Sequence, residues 1–214
     1  MLSYKRNQIE EAIAATLQQA GAEPAGDLST RIKRLLETDR ALGTDDAAAV
    51  RGPTYAFYTG PAPGRGVEVW FSSYEAFALL LGVLLQQHRF PQGTAVRILR
   101  QARARLEPEH ARILAVGSRK AKVGRRRGPG QPAVFENPDA VFLAIATTWG
   151  SQADPDAAPQ AITVCAGEAE VMEFRRRSAP PGSSMTVLEL TAPAHMLAAS
   201  LDHTTPATRG RPRR

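Results

Sequence analysis

The sequence predicts an α+β protein: a mainly helical N-terminal region over residues 1–116 that includes a β-hairpin, then a small α/β region over residues 133–203. Three observations carry this reading. Apolar residues recur at steps of three and four in several segments of the first half, the period of a helix with one buried face. Two short runs rich in β-branched and aromatic residues flank a Gly/Pro turn at residues 60–66 and read as a hairpin. Further on, a strand-like run, a helix-like run and a second strand-like run follow one another between residues 161 and 190. A basic linker, 117–132, separates the two regions, and a basic tail, 204–214, closes the chain.

From Ser3 to Ala20, the residues Ile9, Ile13, Leu17 and Ala20 mark an amphipathic helix, stopped by Gly21 and Pro24. From Asp27 to Leu42, the apolar stripe is Leu28, Ile32, Leu35, Leu36 and Leu42, with Gly43 at its end. Arg31, Lys33, Arg34 and Arg40 lie off that stripe. The two helices should pair with each other and with a central helix. Thr54 to Thr59 is a strand candidate, and Val67 to Phe71 is its return across the turn. A hairpin beside a helical pair fits a winged helix, with Arg65 at the wing tip. It fits equally a small sheet that covers the helices.

Val67 to Leu114 is the longest well-patterned stretch. Ser72 stands three residues before Glu75, the capping-box spacing, so a helix should begin near Ser73. Phe77, Leu80, Leu81, Leu84 and Leu85 form its stripe, with Tyr74 one turn earlier. Ala78, Leu79 and Val83 lie off the stripe, so the helix is apolar over most of its circumference and should be central. Gln86 to Arg89 end it, and Pro91 and Gly93 mark a turn. Thr94 is a candidate N-cap for a second helix, with Val96, Leu99 and Leu106 on its buried side, and Glu107-Pro108 interrupts it. Arg97, Arg100 and Arg103 recur at a spacing of three, drifting round another side. Helix, short turn, Arg-bearing helix is the outline of a helix-turn-helix, whose second helix enters the major groove of DNA. An ordinary helical hairpin with a wet Arg face has the same outline.

In the second region, Asn137-Pro138-Asp139 is a turn or cap before the buried apolar segment Val141, Phe142, Leu143 and Ile145. Ala161 to Cys165 reads as a strand and Gly167 to Arg177 as a helix. Glu168 and Glu170 in its first turn and Arg175, Arg176 and Arg177 in its last complement the helix dipole, so the Arg run needs no ligand to explain it. After Pro180-Pro181-Gly182, Met185 to Leu190 is a strand and Pro193 to Leu201 a short helix. If the two strands share a sheet, a parallel pair with a right-handed crossover is expected.

The net charge of +6 is unevenly placed. Arg119, Lys120, Lys122, Arg125, Arg126 and Arg127 supply six cations with no acid among them, and Arg209, Arg211, Arg213 and Arg214 supply four more. Without these ten, the net charge of the remainder is −4. A mildly acidic fold with its cations on two arms suits contact with a polyanion.

Other chemistry is sparse. The single cysteine cannot form an internal disulfide. Cys165 ends a strand just before a helix, where a thiol can become a nucleophile, but a buried strand cysteine is the commoner case. His88, His110, His195 and His203 are scattered without metal-ligand spacing. No glycine-rich phosphate loop sits between a strand and a helix. No catalytic residue, metal or cofactor is therefore expected. The first residues carry charge early and do not read as a signal peptide. The longest apolar run, Phe77 to Leu85, is too short for a bilayer. The expectation is a soluble, cytoplasmic protein, and the Ala/Arg/Gly/Pro usage points to a GC-rich bacterial genome.

The most specific short signal lies in the tail. Arg209-Gly210-Arg211-Pro212, with Pro206 before it and Arg213-Arg214 after it, resembles the AT-hook. The resemblance covers only these residues. It implies an extended segment in the minor groove of A·T-rich DNA, with Arg209 and Arg211 along the groove floor. Glycine permits close approach, proline holds the chain extended, and the narrow groove attracts guanidinium. The leading expectation is a non-enzymatic DNA-binding regulator or accessory factor. It would use Arg97, Arg100 and Arg103 together with the two arms. An adaptor subunit of a larger assembly, with arms on RNA or an acidic protein and with homo-oligomerisation open to it, is the alternative. An enzyme built on the C-terminal α/β unit is a third reading, with no motif behind it.

Overall fold

The computed structural model of the chain describes residues 3–19, 27–45, 55–60, 64, 69–116, 140–148, 159, 161–179 and 181–205. These form six helices and two small antiparallel sheets, an α+β fold with a mainly helical N-terminal part. In chain order the first part holds β1 (Ser3–Lys5), α1 (Arg6–Gln19), α2 (Leu28–Asp45), β2 (Trp70–Ser72), α3 (Ser73–Gln87) and α4 (Gln92–Val116). The second holds β3 (Val141–Thr148), β4 (Ala161–Ala166), α5 (Glu168–Ser178), β5 (Ser183–Glu189) and α6 (Thr191–His203).

The N-terminal two-stranded ribbon pairs β2 with β1, with Tyr4 opposite Phe71. Its partner is thus the segment ahead of the first helix, and not residues 55–59 of the expected strand. Tyr55 to Tyr58 are buried yet irregular. Side chains from the surrounding helices take several of their backbone groups, so no ladder is needed to satisfy them. Arg65, the expected wing tip, lies outside the described residues.

The α3 start follows the sequence. The Glu75 amide donates to Ser72 Oγ at 3.2 Å, and the Ser72 amide donates to Glu75 Oε2 at 2.6 Å. Replacing Ser72 with alanine should lower stability by about 1 kcal/mol, read as a shift in the urea midpoint. An unchanged midpoint would show that the cap is dispensable. Most of α3 is buried, from Tyr74 to Val83 without a break. Gly82 permits the close approach of α2, because a Cβ there would sit 3.0 Å from Leu35 Cδ1. The α3 exit is a tight turn. The Phe90 amide reaches back to the Leu85 carbonyl, and Arg89 takes the left-handed backbone (φ 66°) more usual for glycine.

The second helix of the pair differs from expectation at both ends. It starts at Gln92, so Thr94 is a buried residue of its first turn and not its cap. It also runs through Pro108. A proline removes one amide donor and crowds the preceding turn. Here the buried face continues on both sides of it, through Leu106, His110 and Ile113, and packing holds the helix together.

The second sheet has the order β4-β3-β5, with both neighbours antiparallel to β3. The two strands expected as an adjacent parallel pair do run parallel, but β3 lies between them. The apolar segment at 141–145 supplies this central strand because it can bury both faces. Val141, Leu143 and Ile145 enter the main core, and Ala144 packs with Cys165 and Val171 beneath α5. The main core is one cluster that draws on α1–α4 and also on β3, β5 and α6, so residues 1–116 and 133–203 share it. The α6 helix packs on α1 and α4.

Candidate functional site

The three arginines proposed to read DNA begin the site. Arg103 stands four residues after Leu99 and three before Leu106, so helical spacing places it among the buried residues. It is 7% exposed. Its Nη1 donates to the carbonyls of Tyr55 and Tyr58, both at 2.6 Å, and its Nε to Glu107 Oε2 at 3.3 Å. The guanidinium also stacks over the Tyr74 ring at 5.3 Å. The Arg100 side chain is 8% exposed and pairs with Asp39, Nε to Oδ1 at 2.7 Å, while its Nη2 donates to the Asp39 carbonyl. Arg97 is half-buried, with its guanidinium near Gly93. Arg100 and Arg103 therefore do not form an outward DNA-reading surface. Their chemistry is spent inside the fold.

What they build is a buried polar clamp. Asp39 is fully buried, and its carboxylate accepts from the amides of Ala56 and Phe57, at 3.0 and 2.9 Å, and from Arg100 Nε. Thr59 donates its hydroxyl to Glu75 Oε1 at 2.8 Å, which ties the same segment to the cap of α3. Two carboxylates and two guanidiniums thus hold residues 55–59 across α2, α3 and α4. The rings follow: Tyr55 meets Tyr58 edge-on at 5.8 Å, and Arg100 lies over Tyr55 at 5.5 Å. Asp39 and Glu75 are key residues that the sequence did not single out for this role. A signal existed for Asp39, which falls three residues after Leu36 and three before Leu42, on the apolar stripe of α2. An acid in that place needs an inward partner.

A second buried group lies where α4 faces α3. The His110 ring stacks on Phe77, with centroids 4.7 Å apart, and meets Tyr74 edge-on at 6.0 Å. Burial, aided by the nearby His195, lowers the His110 pKa from 6.5 to about 4, so the ring is neutral at ordinary pH. The Tyr74 hydroxyl is raised, chiefly by burial.

The remaining candidates divide cleanly. Arg119, Lys120, Lys122, Arg125, Arg126, Arg127, Arg209, Arg211, Arg213 and Arg214 lie outside the described residues. Cys165 is buried and sits opposite Phe142 in the sheet. Burial and then Glu170 push its thiol up, against an opposing pull from Arg105, the reverse of what an activated nucleophile requires. Among the described residues, no three His, Cys, Asp or Glu side chains gather in a way that could hold a metal. No described helix is long and apolar enough to cross a membrane. Comparison with protein families, with curated proteins and with solved structures finds no match.

Proposed function

We propose that this is a non-enzymatic nucleic-acid-binding protein, with DNA as the first target and its phosphate contacts made by the two basic segments. The observation that carries the reading is the charge layout: ten cations fall within 119–127 and 209–214, and the rest of the chain is net negative. The inward use of Arg100 and Arg103 supports shifting the contacts from α4 to these arms. In this reading the fold is a carrier. The 117–132 arm neutralises phosphate, and the AT-hook-like tail lies in a narrow A·T minor groove.

Gel-shift titration of an A·T-rich duplex across a salt series tests this. If all ten cations engage, the log–log salt slope approaches about −9, at about 0.9 per neutralised phosphate. Deleting residues 209–214, with their four arginines, should flatten that slope by about 3 to 4 and remove the preference for A·T over G·C duplex. No binding at low salt would overturn the proposal. Unchanged binding after the deletion would overturn the role of the tail. A second reading, an adaptor whose arms hold RNA or an acidic protein, draws support from the same inward arginines, since the helices then pack protein. Tighter binding to single-stranded RNA than to duplex DNA in the same assay would favour it.

A further inference from the structure

We infer that the β1–β2 ribbon is a base-stacking platform for DNA, on which Trp70 takes an unpaired base next to the A·T duplex gripped by the tail. The inference rests on the nucleic-acid reading above and adds an ordered contact to it. Side chains alternate across the ribbon. Tyr4 and Phe71 are buried, while Lys5 and Trp70, opposite each other in register, lie on the other face. Among the described Phe, Tyr and Trp residues, Trp70 alone is exposed, at 49%. The Lys5 ammonium lies over its ring, 5.0 Å from the centroid. An indole and a cation together at the surface match a nucleotide, since the ring can take a base and the cation a phosphate. Met172 and Val116, the other large apolar residues exposed among those described, offer no ring.

The tail leaves the fold beside this ribbon. The buried Gln8 carboxamide bridges the two: its Oε1 accepts from the Lys5 amide at 3.0 Å, and its Nε2 donates to the Thr204 carbonyl at 3.3 Å. Asp202, near the end of α6, also acts on Tyr4 of β1, whose phenol is raised by burial and then by that carboxylate. Arg209, the first arginine of the tail, comes five residues after Thr204. Five residues reach at most about 17 Å, the rise of about five base steps. One DNA molecule can therefore meet both the tail arginines and Trp70. Inside a closed duplex each base is covered by its neighbours, so an indole finds a free base face only where a strand is unpaired. The partner that fits both contacts is an A·T-rich duplex that opens into single strand.

Gel-shift titration of the full chain with two probes tests this: a blunt A·T-rich duplex, and the same duplex carrying a short oligo-dT overhang. The overhang should tighten binding by about fivefold or more, the effect of one stacked base. Trp70→Ala should abolish that gain and leave binding to the blunt duplex unchanged. Trp70→Phe keeps a ring and should retain part of the gain. Circular dichroism melting checks that both variants fold. Tryptophan emission adds a site-specific readout: the overhang probe should quench the wild type more than the blunt probe does, and Trp70→Phe should lack that extra quenching. Equal wild-type affinity for the two probes overturns the inference and leaves the tail reading standing. So does an overhang gain that survives Trp70→Ala, a loss in that variant equal for both probes, or extra quenching that persists in Trp70→Phe. Binding to neither probe at low salt sinks the nucleic-acid reading itself, and this inference with it.

Discussion

Replacing Asp39 with alanine is expected to lower folding stability by about 3–5 kcal/mol, the range for breaking a buried ion pair by removing one partner. The carboxylate has no contact with water. Its loss strands the Arg100 guanidinium in the interior and leaves the amides of Ala56 and Phe57 without their acceptor. Each orphaned buried donor adds its own desolvation penalty. An asparagine side chain keeps the shape and one acceptor oxygen but not the charge, so Asp39→Asn should fall between wild type and Asp39→Ala. The double change Asp39→Leu with Arg100→Met should lose less than Asp39→Ala alone, because no unpaired charge is left inside. Urea unfolding of the four proteins measures all of this. A loss below about 1 kcal/mol for Asp39→Ala would mean that the segment at 55–59 is held by something other than this carboxylate.

The second large effect is acid sensitivity centred on His110. Its pKa in the fold is about 4, against 6.5 for a free side chain. Between those values the unfolded chain takes up a proton that the folded chain refuses, so folding stability falls as pH drops through that window. It is fully present above about pH 6.5 and lost by about pH 4. At 1.36 kcal/mol per pH unit, the loss is on the order of 3 kcal/mol. Carboxylates also titrate near the lower end, so the diagnostic quantity is the difference from His110→Phe. That variant keeps a ring against Phe77 and has no proton to gain. Its stability should be flatter with pH across the window. Parallel pH profiles for the two proteins would rule out His110 as the source.

Much of the architecture could be read from the residues alone. The Ser72/Glu75 spacing located the start of α3, and its near-continuous apolar content located it at the centre. The acids and arginines of α5 mark its two ends. These features are local, set by contacts within a turn or two of chain. The pairing partners of the strands were not legible. β2 pairs with a strand at the start of the chain, and β3 lies between β4 and β5. Three-residue strands leave almost no periodic trace, and nothing within a strand's own sequence names its partner.

The arginines show the same division most sharply. The sequence determined by itself that α4 carries Arg100 and Arg103 at positions three apart, and that the chain's excess cations sit in two compact segments. Only the tertiary structure decided where the two guanidiniums point. An arginine on a helix can face water or a buried acceptor, and the residue type is the same in both cases. The choice turned on Asp39, on α2, and on the carbonyls of Tyr55 and Tyr58, all more than 40 residues away along the chain. Burial strengthens these charge-assisted bonds and makes an unpaired alternative costly, so once the fold brings the partners together the arginines turn inward.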